Sequence, residues 1–388
     1  MFYSNLIRNK QIWSWFTTSY NQNRLPHALL FHGNSGNGKE GHAIELAALV
    51  NCRFSTSEGA CNSCPDCIKL KLFQHPNVHL IIPYPKRYAL TKNDPPDKSL
   101  TSKDIDFLVQ LRKKKGKDPY TLMELPGANK ILINSIRFIK QELYKTSIEA
   151  GWKIVLIFQA DKLCVPTPES ANALLKILEE PPEKTLFILV TDHFSQILDT
   201  IKSRCQQTYF PPLDFDDINN VINSTKSDDI LKLITHLTDG NIHFIKEILN
   251  SPNDIMQEAE FLLNLLIHRA PEAWNQFSSK VRKLKQSGES QWDYKMKLLM
   301  IIIRDVLLIS ENSETKFLFL PNLTHKYSDI VKNYPESDWH QCLQIVENTI
   351  SNINRNGYLP LMIYSMSIEI HRILNGEKKH FFSSDSII

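Results

Sequence analysis

The chain has 388 residues, 42% hydrophobic and 22% charged, with a net charge of +3; that length suits two or three domains, and so small a charge does not by itself argue for a polyanionic or membrane partner. No apolar run approaches the roughly 18 residues of a spanning helix, and the first residues lack the charged, apolar and small-residue regions of a secretory leader, so a cytoplasmic protein is expected. Seven cysteines are an odd number and four of them crowd into one short segment, which argues against a disulfide framework.

In chain order, residues 5–24 suit an amphipathic helix anchored by Trp13, Trp15 and Phe16, broken at Arg24-Leu25-Pro26. Residues 28–32 are a short apolar run ending in glycine and read as a buried strand. Next come Gly33-Asn-Ser-Gly36-Asn-Gly38-Lys39-Glu40 and an apolar-periodic stretch at Ala43, Ile44, Leu46, Ala47 and Val50. Strand, glycine-rich loop and helix are the context of a phosphate-binding P-loop. Successive backbone N–H groups would cradle anionic oxygens, and Lys39 would reach the outer phosphates. The residue after that lysine needs a hydroxyl to bind Mg²⁺, and here it is Glu40. A carboxylate there sets negative charge beside a triphosphate, so the loop is expected to persist as a fold element.

Cys52, Cys61, Cys64 and Cys67 follow with C-x8-C-x2-C-x2-C spacing, with Gly59 and Pro65 supplying turns. Four thiolates so close match a closed tetrahedral Zn²⁺ site, which is structural because no coordination position stays open. Residues 75–82 read as another strand. His75 and His79, four apart on a strand, share a face without converging on a metal. Residues 84–128 turn polar and read as a surface insertion, helical from Ser102 to Lys113. The basic run Arg112 to Lys117 reads as a solvated face. Ile136, Ile139 and Leu143 have helical spacing within 131–144.

The run Lys153 to Phe158 reads as a parallel strand buried on both faces. In a P-loop ATPase this strand ends in carboxylates that hold Mg²⁺ and polarise the attacking water. Phe158 and Gln159 stand there instead, and Asp161 falls three residues beyond. Residues 171–178 form a helix ended by Glu179-Glu180-Pro181-Pro182. Residues 186–190 are a further strand, and Ser203-Arg204-Cys205 closes the segment. Pro211-Pro212 reads as a domain boundary, 215–250 as a small helical unit, and the chain from Ile255 as all-helical, with elements at 261–267, 296–308, 339–353 and 358–374. The tail from Asn375 is polar except for Phe381, Phe382 and the last two isoleucines.

The segment Ala171-Asn-Ala-Leu-Leu-Lys-Ile-Leu-Glu-Glu-Pro-Pro182, with Ser203-Arg204-Cys205 and the cysteine cluster behind the P-loop helix, resembles the clamp-loader subunits of bacterial DNA polymerase III, within the AAA+ superfamily. The match covers residues 1–215 well and the remainder in general character. Of the two similar types, gamma/tau keeps the P-loop hydroxyl and the acidic strand end, whereas delta-prime often has decayed motifs. Glu40, Phe158 and Gln159 place the resemblance with delta-prime.

The resemblance implies an α/β AAA+ P-loop domain at 1–211, with a zinc module at 52–67 and the insertion at 84–128. It also implies a helical lid at 212–250 and an all-α collar at 251–388 that joins subunits in a ring. Gly33, Gly36, Gly38, Lys39 and the sensor position Thr191 would form a degenerate nucleotide site, in which ATP binding is not expected to be retained. Near Gly240 the family carries a second arginine sensor, and His243 stands there. Arg204 would act in trans, as an arginine finger toward ATP on an adjacent subunit; as an isolated residue, it reads as a surface arginine paired with an acid. Implied partners are gamma/tau and delta subunits, the sliding clamp and, through the complex, primer-template DNA. Two alternatives remain at this stage: an ATPase using Glu40 and Asp161 as metal ligands, and a zinc-bearing protein that binds nucleic acid through Arg112 to Lys117.

Overall fold

Five strands, β1 (Ala28–Gly33), β2 (Val78–Ile81), β3 (Lys153–Phe158), β4 (Thr185–Thr191) and β5 (Gln206–Phe210), form one parallel sheet in the order β2-β3-β4-β1-β5. The fold is that of a computed structural model, which describes residues 2–56, 58–145, 151–222, 227–251, 254–267, 271–286, 291–354 and 357–376. The tail beyond Gly376 and residues 223–226 of the expected lid lie outside the described residues. Two compact units divide the chain: Met1–Asn223 with Asp239–Ile245, and Ser224–Thr238 with Lys246–Ile388.

The first unit holds the sheet with α1 (Lys10–Asn21), α2 (Lys39–Asn51), α3 (Pro65–Lys71), α4 (Ser102–Lys115), α5 (Ile133–Tyr144), α6 (Glu169–Glu179), the short α7 (Asp199–Lys202) and α8 (Phe215–Ile222). β4 is buried along its whole length, and β3 from its second residue. That is why both read as unbroken aliphatic runs: parallel strands covered on two faces have no polar side to alternate with. β1 pairs with β4 from Ala28↔Phe187 to His32↔Thr191 and with β5 on its other edge, ending at Gly33↔Phe210. This register sets the carboxyl ends of β1 and β4 beside each other. On one face, Leu30, Val155, Ile157, Phe187 and Leu189 pack with Ile136 and Ile139 of α5 and Leu174, Ile177 and Leu178 of α6. Each such buried side chain contributes about 1.5–3 kcal/mol relative to staying in water.

Several sequence expectations change. α1 starts at Lys10, because the Asn9 side chain accepts a hydrogen bond from the Ile12 N–H and caps the helix there. Trp13 and Phe16 are buried anchors, but Trp15 is 38% exposed, since it points from a different side of the helix. β5 was not expected. It is an edge strand whose Gln206, Gln207 and Tyr209 face solvent, so it carries no apolar signature. The stretch 84–128 is not merely a surface insertion: α4 runs two residues beyond the expected end, and Leu108, Leu111, Tyr120, Met123 and Leu125 are buried.

α9 (Asp228–Leu237) belongs to the second unit, while α10 (Ile242–Asn250) has its first residues in the first unit and the rest in the second. The second unit continues with α11 (Ile255–Ile267), α12 (Pro271–Gln286), α13 (Gln291–Ser310), α14 (Thr324–Asn333), α15 (Trp339–Asn354) and α16 (Leu359–Leu374). α13 is its central helix, touching α9, α11, α12, α14 and α15. Met296, Leu298, Leu299, Ile301, Ile302, Ile303 and Val306 are buried around it, the pattern of a helix enclosed on nearly all sides. Among the described residues no helix is long and apolar enough to cross a membrane.

Candidate functional site

The glycine-rich loop stands where a P-loop stands, between β1 and α2, but its cradle is filled by the protein itself. Lys39 is 3% exposed. Its Nζ donates to the carbonyls of Gly33 (3.0 Å) and Asn34 (2.6 Å) and to Asn37 Oδ1 (3.2 Å), and lies 2.6 Å from Asp192 Oδ1 just beyond β4. An ammonium has three donors, so these four acceptors leave none for a phosphate. Gly38 is the N-cap of α2, in the left-handed conformation. Gly33 needs to be glycine because a Cβ would sit 2.2 Å from the Phe210 carbonyl oxygen of β5. Over Gly36 lies Asn241: a Cβ on that glycine would come within 2.1 Å of Asn241 Oδ1. Asn241 Oδ1 also accepts from the Phe244 N–H at the start of α10, so the residue that caps this helix covers the loop tip. His243 lies in the first turn of the same helix.

Glu40, in the place of the metal-binding hydroxyl, is engaged by a lysine that composition had placed on the surface. Lys115 at the end of α4 is 1% exposed. Its Nζ pairs with the Glu40 carboxylate, donates to the carbonyls of Pro119 (2.7 Å) and Thr121 (2.8 Å), and stands 5.7 Å from the centroid of the Phe158 ring. The two positions where ATPase ligands are missing are thus joined by one buried cation. The run Arg112–Lys117 is therefore not a continuous solvated face: Lys113, Lys114 and Lys117 are exposed, and Lys115 faces inward. Nothing local in the sequence separates Lys115 from its neighbours, so no pattern marks it as buried.

Asp161, the other conceivable metal ligand, is 2% exposed and accepts a 2.8 Å hydrogen bond from the hydroxyl of Thr191. Thr191 Oγ1 in turn accepts from the His193 N–H. Thr191 is thus engaged with an acid of its own chain. His32, at the end of β1, stacks on Phe194 with centroids 4.2 Å apart. Burial first, and the charge of Lys39 second, lower its pKa. His42 on α2 is fully enclosed, with Nδ1 2.9 Å from the Gly38 carbonyl and Nε2 3.3 Å from the Asn9 nitrogen. Burial pushes its pKa down to about 4.

Arg204 lies elsewhere, in the turn between α7 and β5. Its guanidinium donates to the Thr200 carbonyl at 2.9 Å and to Glu179 Oε1 at 2.6 Å, and it remains partly exposed. The sequence reading of Arg204 as a surface arginine paired with an acid left that acid unnamed; it is Glu179, 25 positions earlier, in a segment that the sequence marks as a helix end.

The four cysteines converge. Their sulfurs all lie within 4.8 Å of one another, with Cys52–Cys64 and Cys61–Cys67 each 4.0 Å apart. A tetrahedral ion with Zn–S bonds near 2.3 Å requires sulfurs about 3.8 Å apart, so the cluster fits a metal ion. Backbone N–H groups of Phe54 and Cys61 point at Cys52 Sγ, and that of Cys64 at Cys61 Sγ, which is how thiolate charge is stabilised. This is the one group of three or more metal-ligating side chains that comes together among the described residues. His75 lies instead 3.7 Å from Asp66, outside the cluster.

A cavity of about 380 Å³ opens where the insertion meets the starts of α5 and α6, and Lys86, Lys92, Lys130 and Arg137 line it, with Glu169 the single acid. These cations are scattered through the sequence and were not singled out from it.

The family model described as "DNA polymerase III, delta subunit" matches residues 8–214. The chain is 27% identical over 353 residues to DNA polymerase III subunit delta' of Bacillus subtilis (strain 168), covering 89% of this chain and 92% of that protein. It is 26% identical over 230 residues to subunit delta' of Buchnera aphidicola subsp. Schizaphis graminum (strain Sg), covering 57% of this chain and 67% of that protein. A gamma/tau subunit, that of Mycoplasma pneumoniae (strain ATCC 29342 / M129 / Subtype 1), is 25% identical over 233 residues, which are 60% of this chain and 27% of that protein.

Proposed function

The chain belongs to the family described as DNA polymerase III, delta subunit, and from that membership we propose that it is a delta-prime-like subunit of the clamp loader that does not hydrolyse ATP. The observation that carries this reading is the saturated cradle. Lys39 is bound by Gly33, Asn34, Asn37 and Asp192, and Glu40 by Lys115. A triphosphate would have to displace these lysine contacts and bring its charge up to a carboxylate, with neither P-loop hydroxyl nor strand-end acid to hold Mg²⁺. The delta-prime-like and gamma/tau-like readings differ at those residues.

Within the complex, the role proposed for this chain is structural and in trans. Arg204 reaches the ATP of a neighbouring gamma/tau subunit, where a planar, always charged guanidinium can bridge phosphate oxygens. Zn²⁺ is held by Cys52, Cys61, Cys64 and Cys67 and stabilises the 52–67 module. Residues 1–211 form the AAA+ domain, 212–250 the lid, and 251–388 the collar. A stripe on α16 supports the collar assignment: Leu361, Tyr364 and Ile368, spaced along one face, are 60%, 38% and 37% exposed. The cations of the 380 Å³ cavity favour contact with a DNA backbone inside the complex.

The test is reconstitution with gamma/tau, delta and the sliding clamp. Arg204→Ala is expected to leave assembly intact and to lower DNA-stimulated ATPase of the complex by about tenfold or more. Unchanged ATPase would remove the trans role, and turnover of ATP by the isolated wild-type chain would remove the non-hydrolysing one.

A further inference from the structure

Arg204 is held between two elements. Its Nη1 donates to the Thr200 carbonyl of α7 at 2.9 Å and contacts Ser203 Oγ at 3.5 Å, while Nη2 donates to Glu179 Oε1, at the end of α6, at 2.6 Å. Stability does not account for the acid. The two side chains are 35% and 49% exposed, and exposed ion pairs contribute little to folding. Glu179 is also the last residue of its helix, where the negative end of the helix dipole disfavours a carboxylate. After Glu180 come Pro181 and Pro182, so the chain cannot continue as helix and Glu179 is presented at a fixed end.

A long, flexible arginine delivers its donors poorly unless its orientation is set beforehand. A guanidinium has five donors, and the contacts to Thr200, Ser203 and Glu179 leave others for an external anion. We propose that Glu179 is a positioning residue for Arg204: through Oε1 it fixes the plane of the guanidinium so that its remaining N–H groups meet the terminal phosphate of a nucleoside triphosphate bound by the adjacent subunit. The inference rests on the trans reading of Arg204. What Glu179 supplies is an acceptor at a set place, and its negative charge is not required, because a second anion arrives there.

The experiment measures ATP hydrolysis, with Mg²⁺ and primer-template DNA, by the reconstituted complex carrying Glu179→Ala, Glu179→Gln, Arg204→Ala or the Arg204→Ala/Glu179→Ala pair. Glu179→Ala is expected to lower kcat about 5–10-fold with KM for ATP and ring assembly within about twofold, the pattern of an interaction made in the transition state. Glu179→Gln keeps an oxygen acceptor of the same reach and is expected to restore kcat to within about twofold of the unaltered complex. The pair is expected to be no slower than Arg204→Ala alone, since the two residues act as one unit. Glu179→Ala activity equal to or above that of the unaltered complex would overturn the proposal, and so would Glu179→Gln as slow as Glu179→Ala, or losses that multiply in the pair. If Arg204→Ala slows the complex and Glu179→Ala does not, the positioning role alone fails; if Arg204→Ala has no effect, the trans reading fails and takes this proposal with it.

Discussion

Lys115 and Glu40 are ion-paired across 75 residues of chain, the lysine 1% exposed and the glutamate standing in the P-loop position reserved for a metal-binding hydroxyl. The lysine's other contacts are two carbonyls and the face of Phe158, so Glu40 supplies its counter-charge. Removing one member of a buried pair costs about 3–5 kcal/mol, whereas replacing both with uncharged groups is often neutral. Glu40→Thr, which restores the P-loop hydroxyl, is therefore expected to destabilise the protein by about 3 kcal/mol without creating ATP binding. The pair Glu40→Thr/Lys115→Met is expected to regain most of that loss. Chemical denaturation of the single and paired variants, with nucleotide titration of each, checks both statements; additive losses would contradict them.

Lys39 yields a second prediction. Its bonds satisfy the carbonyls of Gly33 and Asn34 inside the loop, so Lys39→Met leaves buried acceptors without donors, at about 1–3 kcal/mol. Unfolding free energy is expected to fall by that amount. Clamp-loading ATPase of the assembled complex is expected to stay within about twofold, because this lysine does not serve the neighbour's site. A loss of ATP turnover by the isolated chain on Lys39→Met would instead identify a working nucleotide site.

The cysteine cluster predicts about one Zn²⁺ per chain, released when the thiols are titrated with a mercurial reagent. Cys67, 1% exposed, lies deeper than Cys61. Cys67→Ser is expected to abolish metal retention and to lower the unfolding midpoint, since metal affinity at a structural site is folding free energy. Metal content below about half an ion per chain in protein prepared without chelators would count against the site.

His42 makes stability depend on pH. Its pKa, about 4 in the folded chain, lies below the ordinary 6.5 of the unfolded one. Between those values the unfolded state binds more protons, so stability is complete above about pH 6.5 and falls as pH drops toward 4. The full span corresponds to about 3 kcal/mol. A His42→Gln variant is expected to show a shallower loss of unfolding free energy between pH 6.5 and 4 than the unaltered protein. An identical slope would show that His42 does not carry the dependence.

Much of the first unit was legible because its signals are local. β1, β3 and β4 are aliphatic runs whose burial on both faces leaves no other reading, and α5 and α6 repeat apolar residues at helical spacing. Glu40, Phe158 and Gln159 were equally legible as departures from the P-loop pattern, since they stand at positions defined by the strands they follow. β5 escaped because an edge strand with Gln206, Gln207 and Tyr209 outward has no apolar alternation to read. Trp15 was misjudged because an aromatic side chain near a buried one need not share its face.

The amino-acid sequence by itself determined the strand–loop–helix unit, the placing of Glu40, Phe158 and Gln159 at its ends, and four cysteines close enough in the chain to meet. Only the tertiary structure decided which distant residues engage those positions. Lys115 comes to Glu40 because α4 packs its last turn inward. Asn241, 205 positions beyond Gly36 (241 − 36), comes to it because it caps the helix that begins at Ile242. Glu179 meets Arg204 because α6 ends beside α7. Each is a contact between residues distant in sequence, and the energy of a charge or hydrogen bond depends on where its partner stands and how much water lies between them, neither of which local pattern encodes.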